Sequence, residues 1–331
     1  MLRLPEFEVL TPTSVSEVIE ALQVPGTRIV AGGTDILPNL KHRLDQPSRL
    51  VSLARLTEFR GVKEENDVVK IGSGMTLTQV ATHPVIRQHF PSLADAASRV
   101  ASPVIRNMGT LGGNVNLDTR CRYVNQTEFW RVALGGGCLK SEGNVCHVVP
   151  GGKNCVAAMS ADTVPALISL GASAVLVGPQ GPRTVELADY FTANGVAHTK
   201  RGEHEVMTEI HVPKASGPRR AAYFKWSVRK SIDFPLISLA LAFDLEADRG
   251  DAAIRSVKLV VGVLNSKPRE VSGLETLIGK SLASPEVSET CAAAAHKQCK
   301  PLTNVPYDAE YRRKMIPVYV RRAIAELVEG T

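Results

Sequence analysis

From Leu117 to Met159 the chain carries no sustained helical or strand period, although regular patterns precede and follow it. The stretch holds Gly135-Gly136-Gly137, Gly151-Gly152 and four of the six cysteines, Cys121, Cys138, Cys146 and Cys155. A structureless run of about forty residues inside a compact domain is unusual unless something orders it. The rest of the fold must therefore accommodate a long loop whose order comes from something other than an apolar stripe.

The four cysteines are spaced C-x16-C-x7-C-x8-C. Met1-Leu-Arg-Leu-Pro-Glu6 lacks the apolar stretch of a signal peptide. The expected compartment is the cytoplasm, where thiols stay reduced, so disulfides are disfavoured. Inert buried thiols do not usually collect in a glycine-rich loop. Structural zinc usually shows a short C-x2-4-C pair, which is missing here. A cuboidal iron–sulfur cluster needs four thiolates and tolerates varied spacing. Spacing alone leaves a cluster, zinc and purely structural thiols open. His147 is a substitute ligand for either metal or, more plainly, a supporting or surface group. Phe129 and Trp130 either shield a cluster or pack in the core. Cys291 and Cys299 lie in an alanine-rich helical pattern, eight residues and thus about 12 Å apart. That separation is too large for a disulfide, so they read as small buried residues.

Regular structure is legible on both sides of the loop. Ser14-Val-Ser-Glu17 is a capping box, and Val15, Val18, Ile19 and Leu22 follow at helical spacing. Strands are predicted at Arg28–Ala31, Leu50–Leu53, Val68–Ile71, Ala174–Val177, Val206–Val212, Ala221–Val228, Leu236–Leu245 and Val257–Leu264. Helices are predicted at Leu93–Val100 and Thr163–Leu170, with another beginning at Ser284-Pro285. The C-terminal segment Tyr307–Glu329 reads as a helix or two, interrupted at Pro317. The segment from Val212 to Pro218 reads as a linker. The expected organisation is a domain over 1–214, containing the insertion 117–159, followed by a smaller α+β domain over 215–331.

Two glycine-rich segments carry the remaining chemistry: Ile29-Val-Ala-Gly-Gly-Thr-Asp-Ile36 and Ile105-Arg-Asn-Met-Gly-Thr-Leu-Gly-Gly-Asn114. Such loops bring backbone N–H groups close to an anion, usually a phosphate. Neither is a G-x-G-x-x-G fingerprint, and no Walker A is present. Each alone is also an ordinary tight turn. No G-x-S-x-G or H-E-x-x-H appears, so no catalytic residue is assigned. Asp162, just before a helical pattern, reads as a helix cap. With 44% apolar and 22% charged residues the chain is globular, not disordered. Its net charge of +6 is scattered, without aromatic-interleaved basic stripes, which disfavours nucleic acid as a partner. The longest apolar stretches, such as Phe234–Phe243, fall far short of a membrane span. The residues alone thus reach a two-part α+β protein with phosphate-cradling loops and a metal site, but no reaction.

The two glycine loops resemble those of the FAD-binding subunits of the molybdenum hydroxylases, the xanthine dehydrogenase and carbon monoxide dehydrogenase family. Tyr223-Phe-Lys225, Arg229-Lys230 and Asp233-Phe234 resemble that family's flavin-facing segment, and Tyr311-Arg-Arg313 its C-terminal domain. The similarity runs from residue 2 to about residue 328, with the motifs in order. One departure stands out. In most of the family the second loop runs almost directly into a Ser-x-Asp segment, whereas here Asn114 and Ser160-Ala-Asp162 are separated by the cysteine-bearing insertion. Asp118-Thr-Arg-Cys121, Gln126-Thr-Glu-Phe-Trp130 and Cys146-His-Val-Val-Pro-Gly-Gly152 are similar to the insertion in the flavin subunits of 4-hydroxybenzoyl-CoA reductases.

The resemblance implies an α+β fold, a two-part FAD-binding domain followed by a smaller C-terminal one, and two cofactors, FAD and a [4Fe-4S] cluster. Ile29, Val30, Ala31, Gly32, Gly33, Thr34, Asp35 and Ile36 would form the first flavin loop. Thr110, Leu111, Gly112, Gly113 and Asn114 would complete the diphosphate cradle. Asp162 would accept from a ribityl or ribose hydroxyl, and Ile210 would pack on the adenine or flavin edge. Lys225 would stand near the flavin pyrimidine and Phe234 would cover one isoalloxazine face. Cys121, Cys138, Cys146 and Cys155 would bind the cluster. The implied role is electron input from reduced ferredoxin towards a small [2Fe-2S] subunit and a large molybdenum-pterin subunit, in a dimer of heterotrimers. That assembly would dehydroxylate 4-hydroxybenzoyl-CoA to benzoyl-CoA. An oxidative hydroxylase flavin subunit and a zinc-stabilised nucleotide-binding module are the alternatives.

Overall fold

A computed structural model describes residues 2–141 and 143–330. The first element group is β1 (Glu8–Leu10), α1 (Val15–Leu22), β2 (Thr27–Val30), α2 (Ile36–Lys41) and β3 (Arg49–Ser52). Its strands form a parallel sheet in the order β1-β3-β2. The first helix starts as its sequence dictates, with Ser14 Oγ accepting from the Glu17 N–H at 3.3 Å. The reciprocal arm differs from the predicted box: Glu17 Oε2 accepts from the Thr13 N–H at 2.8 Å, one residue earlier. Val18 and Leu22 then face the core.

Next come the hairpin β4 (Val62–Glu65) and β5 (Val68–Gly72) and five short helices: α3 (Leu77–Thr82), α4 (Pro84–His89), α5 (Pro91–Ser98), α6 (Pro103–Arg106) and α7 (Leu111–Val115). Among its described residues the long loop holds a single helix, α8 (Glu128–Ala133), in keeping with its missing periodicity. Beyond it lie α9 (Thr163–Ser169), β6 (Ser173–Gly178), β7 (Gly181–Glu186), α10 (Leu187–Tyr190) and β8 (Val206–Pro213). Strands β4 to β8 make a five-stranded sheet ordered β4-β5-β8-β6-β7. All its pairs are antiparallel.

A third sheet, β12-β11-β10-β9, is built from β9 (Arg219–Trp226), β10 (Ile237–Leu245), β11 (Ile254–Gly262) and β12 (Arg269–Glu270). It carries α11 (Pro285–Gln298) and α12 (Ala309–Glu329), which pack on each other. The fold is thus α+β, as expected. The predicted break at Pro317 does not occur, since α12 runs through it as one helix. Its buried face, including Ile316 and Val320, packs against β9, β10 and α11. That tertiary packing outweighs the one backbone bond a proline removes. Cys291 on α11 and Cys299 just beyond it are buried in this core, and burial pushes both thiols up to about 12.

One helix positions the site. Every residue of α9 is buried, the mark of a helix that is apolar all round. It packs against α5 and α7 and against β10 and β11. Ala96, Ala166 and Ala240 meet there with Tyr223, and their small side chains let the layers approach closely. The residue preceding this helix, Asp162, is thereby fixed against strand β9 of the third sheet.

Candidate flavin and cysteine sites

The two glycine loops touch. A Cβ on Gly32 would lie 2.0 Å from the Met108 carbonyl oxygen and 2.9 Å from Gly109 N, so only glycine fits. Gly33 has a φ of +71°, which glycine adopts without strain. Among the described residues, the N–H groups of Gly32, Gly33, Thr34 and Asp35 find no acceptor within the chain. Consecutive unpaired N–H groups at a sharp turn form a nest for an anion.

Most donors of the second loop are used within the chain: Leu111 N on Met75 O at 2.9 Å, Gly112 N on Ser73 O at 2.8 Å, and Asn114 N on Thr110 O at 2.8 Å. Gly113 N donates to Thr110 Oγ1 at 3.0 Å. The Asn114 side chain points away, its Oδ1 accepting from Thr163 N at 3.2 Å and Thr163 Oγ1 at 2.6 Å. Leu111 is enclosed in the core. The second loop thus props the first and, among the described residues, leaves the Thr110 N–H without an acceptor in the chain.

Asp162 is buried and does not cap α9. Its Oδ1 accepts from Tyr223 Oη at 2.6 Å and its Oδ2 from Lys225 Nζ at 3.1 Å. Lys225 also donates to Arg99 O at 2.9 Å. Burial raises the Asp162 carboxyl to about 6, outweighing the lowering by Lys225 and Tyr223. The helix-cap reading is thus corrected, and both carboxylate oxygens already have protein partners. Ile210 is enclosed in the core, with Ile71 and Ala174 as cross-strand neighbours. Phe234 is 46% exposed, and the Arg120 guanidinium lies over its ring, 4.9 Å from the centroid.

The four clustered cysteines come together around one pocket, lined also by Tyr123, Val124, Leu139, Lys140, His147 and Val148. The loop that brings them there is pinned by the buried Arg131 and the half-buried Lys140. Arg131 donates to the carbonyls of His42 at 3.1 Å, Gln126 at 2.6 Å and Arg43 at 3.1 Å. Lys140 Nζ donates to Asp118 Oδ1 at 2.6 Å, Thr119 Oγ1 at 2.6 Å and Gly195 O at 2.7 Å. Backbone N–H groups approach the sulfurs: Val149 N to Cys146 Sγ at 3.4 Å and Ala157 N to Cys155 Sγ at 3.5 Å. Burial raises the Cys121 thiol to about 11, against opposing N–H contacts from Tyr123 and Val124.

Among the described residues no three His, Cys, Asp or Glu groups converge on a single metal-ion position. Four sulfurs at a zinc distance of 2.3 Å would stand only about 3.8 Å apart. The four thiols line one small pocket. Phe129 and Trp130 neither shield that pocket nor join the core; Phe129 is 85% exposed. The apolar cover comes from Val124, Leu139, Val148 and Tyr123. His147 lines the pocket with its ring beside Tyr123, centroids 5.4 Å apart.

Sequence reasoning missed Tyr223 and Arg120. Tyr223 had a usable signal, since it lies two residues from Lys225 on β9 and so on the same face. Arg120 pairs with Asp35 and donates to Asn39 Oδ1 at 2.9 Å, although burial lowers its guanidinium to about 10. No helix of the described residues is long and apolar enough to cross a membrane.

Residues 5–215 match the family model of the FAD binding domain in molybdopterin dehydrogenase. Residues 222–327 match that of the CO dehydrogenase flavoprotein C-terminal domain. The carbon monoxide dehydrogenase medium chain of Hydrogenophaga pseudoflava is 30% identical over 97% of this chain and 96% of its own. The nicotine 6-hydroxylase medium subunit of Paenarthrobacter nicotinovorans is 26% identical over 98% of each. A solved carbon monoxide dehydrogenase from Hydrogenophaga pseudoflava, lacking the Mo-pyranopterin moiety, superposes with a TM-score of 0.78 at 27% identity. That match covers 98% of this chain and 97% of the other.

Proposed function

The chain belongs to the FAD-binding subunits of the molybdenum hydroxylase family, and from that premise we propose that it is the electron-input subunit of a cytoplasmic 4-hydroxybenzoyl-CoA reductase. In this reading it stands between reduced ferredoxin and the [2Fe-2S] and molybdenum-pterin centres of a small and a large partner subunit, in a dimer of heterotrimers. There 4-hydroxybenzoyl-CoA loses its para hydroxyl to give benzoyl-CoA. When bound, FAD would supply one- and two-electron chemistry, and a [4Fe-4S] cluster held by the four cysteines would supply low-potential electrons.

The observation that carries the reading is the convergence of Cys121, Cys138, Cys146 and Cys155 on one pocket, within a loop pinned to the segment that follows the first glycine loop. The chain's own residues divide the work. Gly32 to Asp35 offer N–H groups to the FAD diphosphate, and the second loop holds that turn in shape. Lys225, anchored on Asp162 and Arg99 O, places a cation at the flavin side of α9. Phe234 covers the ring. The four thiols would hold the cluster, and Lys140, half-buried and paired with Asp118, lines the same pocket.

The names of the relatives, a carbon monoxide dehydrogenase and a nicotine 6-hydroxylase, favour a second reading as the FAD subunit of an oxidative enzyme. Cys121→Ser in the assembled complex separates the two. The reductase reading expects lost ferredoxin-driven turnover with FAD retained. Full ferredoxin-driven turnover in that variant would contradict it.

A further inference from the structure

Arg120 touches both halves of the molecule's chemistry. Its backbone is clamped to Ala158 by two hydrogen bonds, Arg120 N to Ala158 O at 2.8 Å and Ala158 N to Arg120 O at 2.6 Å. The next residue is Cys121. Its side chain leaves the cysteine loop and reaches the first glycine loop, pairing with Asp35 and donating to Asn39 Oδ1 at 2.9 Å. Asn39 closes a triangle by donating to Asp35 Oδ2 at 3.1 Å. The guanidinium plane also covers Phe234 at 4.9 Å. Arg120 Nε is buried with no acceptor among the described residues. A buried donor without a partner is rare in a completed structure.

We propose that Arg120 is a positioning residue through which the cysteine loop sets the flavin site, so that cluster loading and FAD binding reinforce one another. The inference rests on reading Cys121 as a cluster ligand and Gly32–Asp35 as the FAD loop. Arg120 projects from the backbone it shares with Cys121, so a group held at Cys121 would restrain the segment that the Ala158 bridge already anchors. Arg120 then fixes Asp35, the last residue of the anion nest, and Phe234, the aromatic assigned to the ring. Coupling between two sites is reciprocal, so FAD must in turn favour cluster retention.

The test uses the full chain and two readouts, iron per chain and the FAD dissociation constant by flavin fluorescence, with and without reconstituted iron. In the wild type, iron is expected to tighten FAD by about fivefold or more. Arg120→Met keeps its iron but shows the same FAD affinity in both states. A merely structural role would weaken FAD equally in both and leave the ratio intact. Arg120→Lys, which keeps the charge but cannot span Asp35 and Asn39 together, retains part of the ratio and serves if the Met variant does not fold. A wild type that loads iron without tightening FAD, or an Arg120→Met variant that keeps the full ratio, overturns the coupling and leaves the cluster reading standing. A wild type that loads no iron overturns the cluster reading and this inference with it.

Discussion

Tyr223 donates its hydroxyl to Asp162 across 2.6 Å, joining a strand of the C-terminal sheet to the start of the buried helix α9. Both groups are withdrawn from water, and burial holds the Tyr223 hydroxyl well above its ordinary value, so it remains a donor. A hydrogen bond to a charged group contributes about 1.5–3 kcal/mol. Tyr223→Phe is therefore expected to lower unfolding free energy by that amount in urea. An unchanged midpoint would show that the bond contributes nothing net.

The same carboxylate sets a pH dependence. Asp162 is raised to about 6 in the fold, above the ordinary value near 3.8 expected of the unfolded chain. The native state then binds more protons than the unfolded state between about pH 4 and pH 6, so this group's contribution to stability falls as pH rises through that window. At 1.36 kcal/mol per pKa unit the change is about 3 kcal/mol. The stability difference between the wild type and Asp162→Asn should move by roughly that much between pH 3 and 7 and stay flat above 7. A difference flat throughout would mean that Lys225 fully offsets the burial.

Gly32→Ala tests the contact of the glycine loops. Its Cβ would fall 2.0 Å from a backbone oxygen, which has no flexible side chain to give way. The loops must part, and FAD affinity measured by fluorescence is expected to fall at least about tenfold, or 1.4 kcal/mol. Wild-type affinity in this variant would place the diphosphate elsewhere.

Phe234→Ala removes the exposed ring on which Arg120 rests. The expected result is weaker flavin binding and altered flavin fluorescence. An identical flavin signal would argue against placing Phe234 over the isoalloxazine.

Much of this was legible from local patterns. Strands such as β10 and β11 were readable because apolar runs of strand length have few other solutions. The irregular loop was readable from its missing period. What escaped depends on partners distant in sequence. The GPRTVE strand β7 is polar and pairs only because β6 lies beside it. Pro317 stays inside α12 because one face of that helix packs against β9, β10 and α11. Asn114 and Ile210 match family positions in sequence, but the one turns to Thr163 and the other into the core. Arg120 passed unremarked because nothing local to Asp118-Thr-Arg-Cys121 announces Asp35 as its partner.

The central claim is that the four thiols hold a cluster beside the flavin. The most direct measurement is iron and acid-labile sulfide per FAD in the chain reconstituted anaerobically with FAD, iron and sulfide, compared with Cys121→Ser. The account predicts about four of each in the wild type, the stoichiometry of a Cys₄ cubane, and their loss in the variant with FAD retained. Flavin bound without iron in the wild type would contradict it.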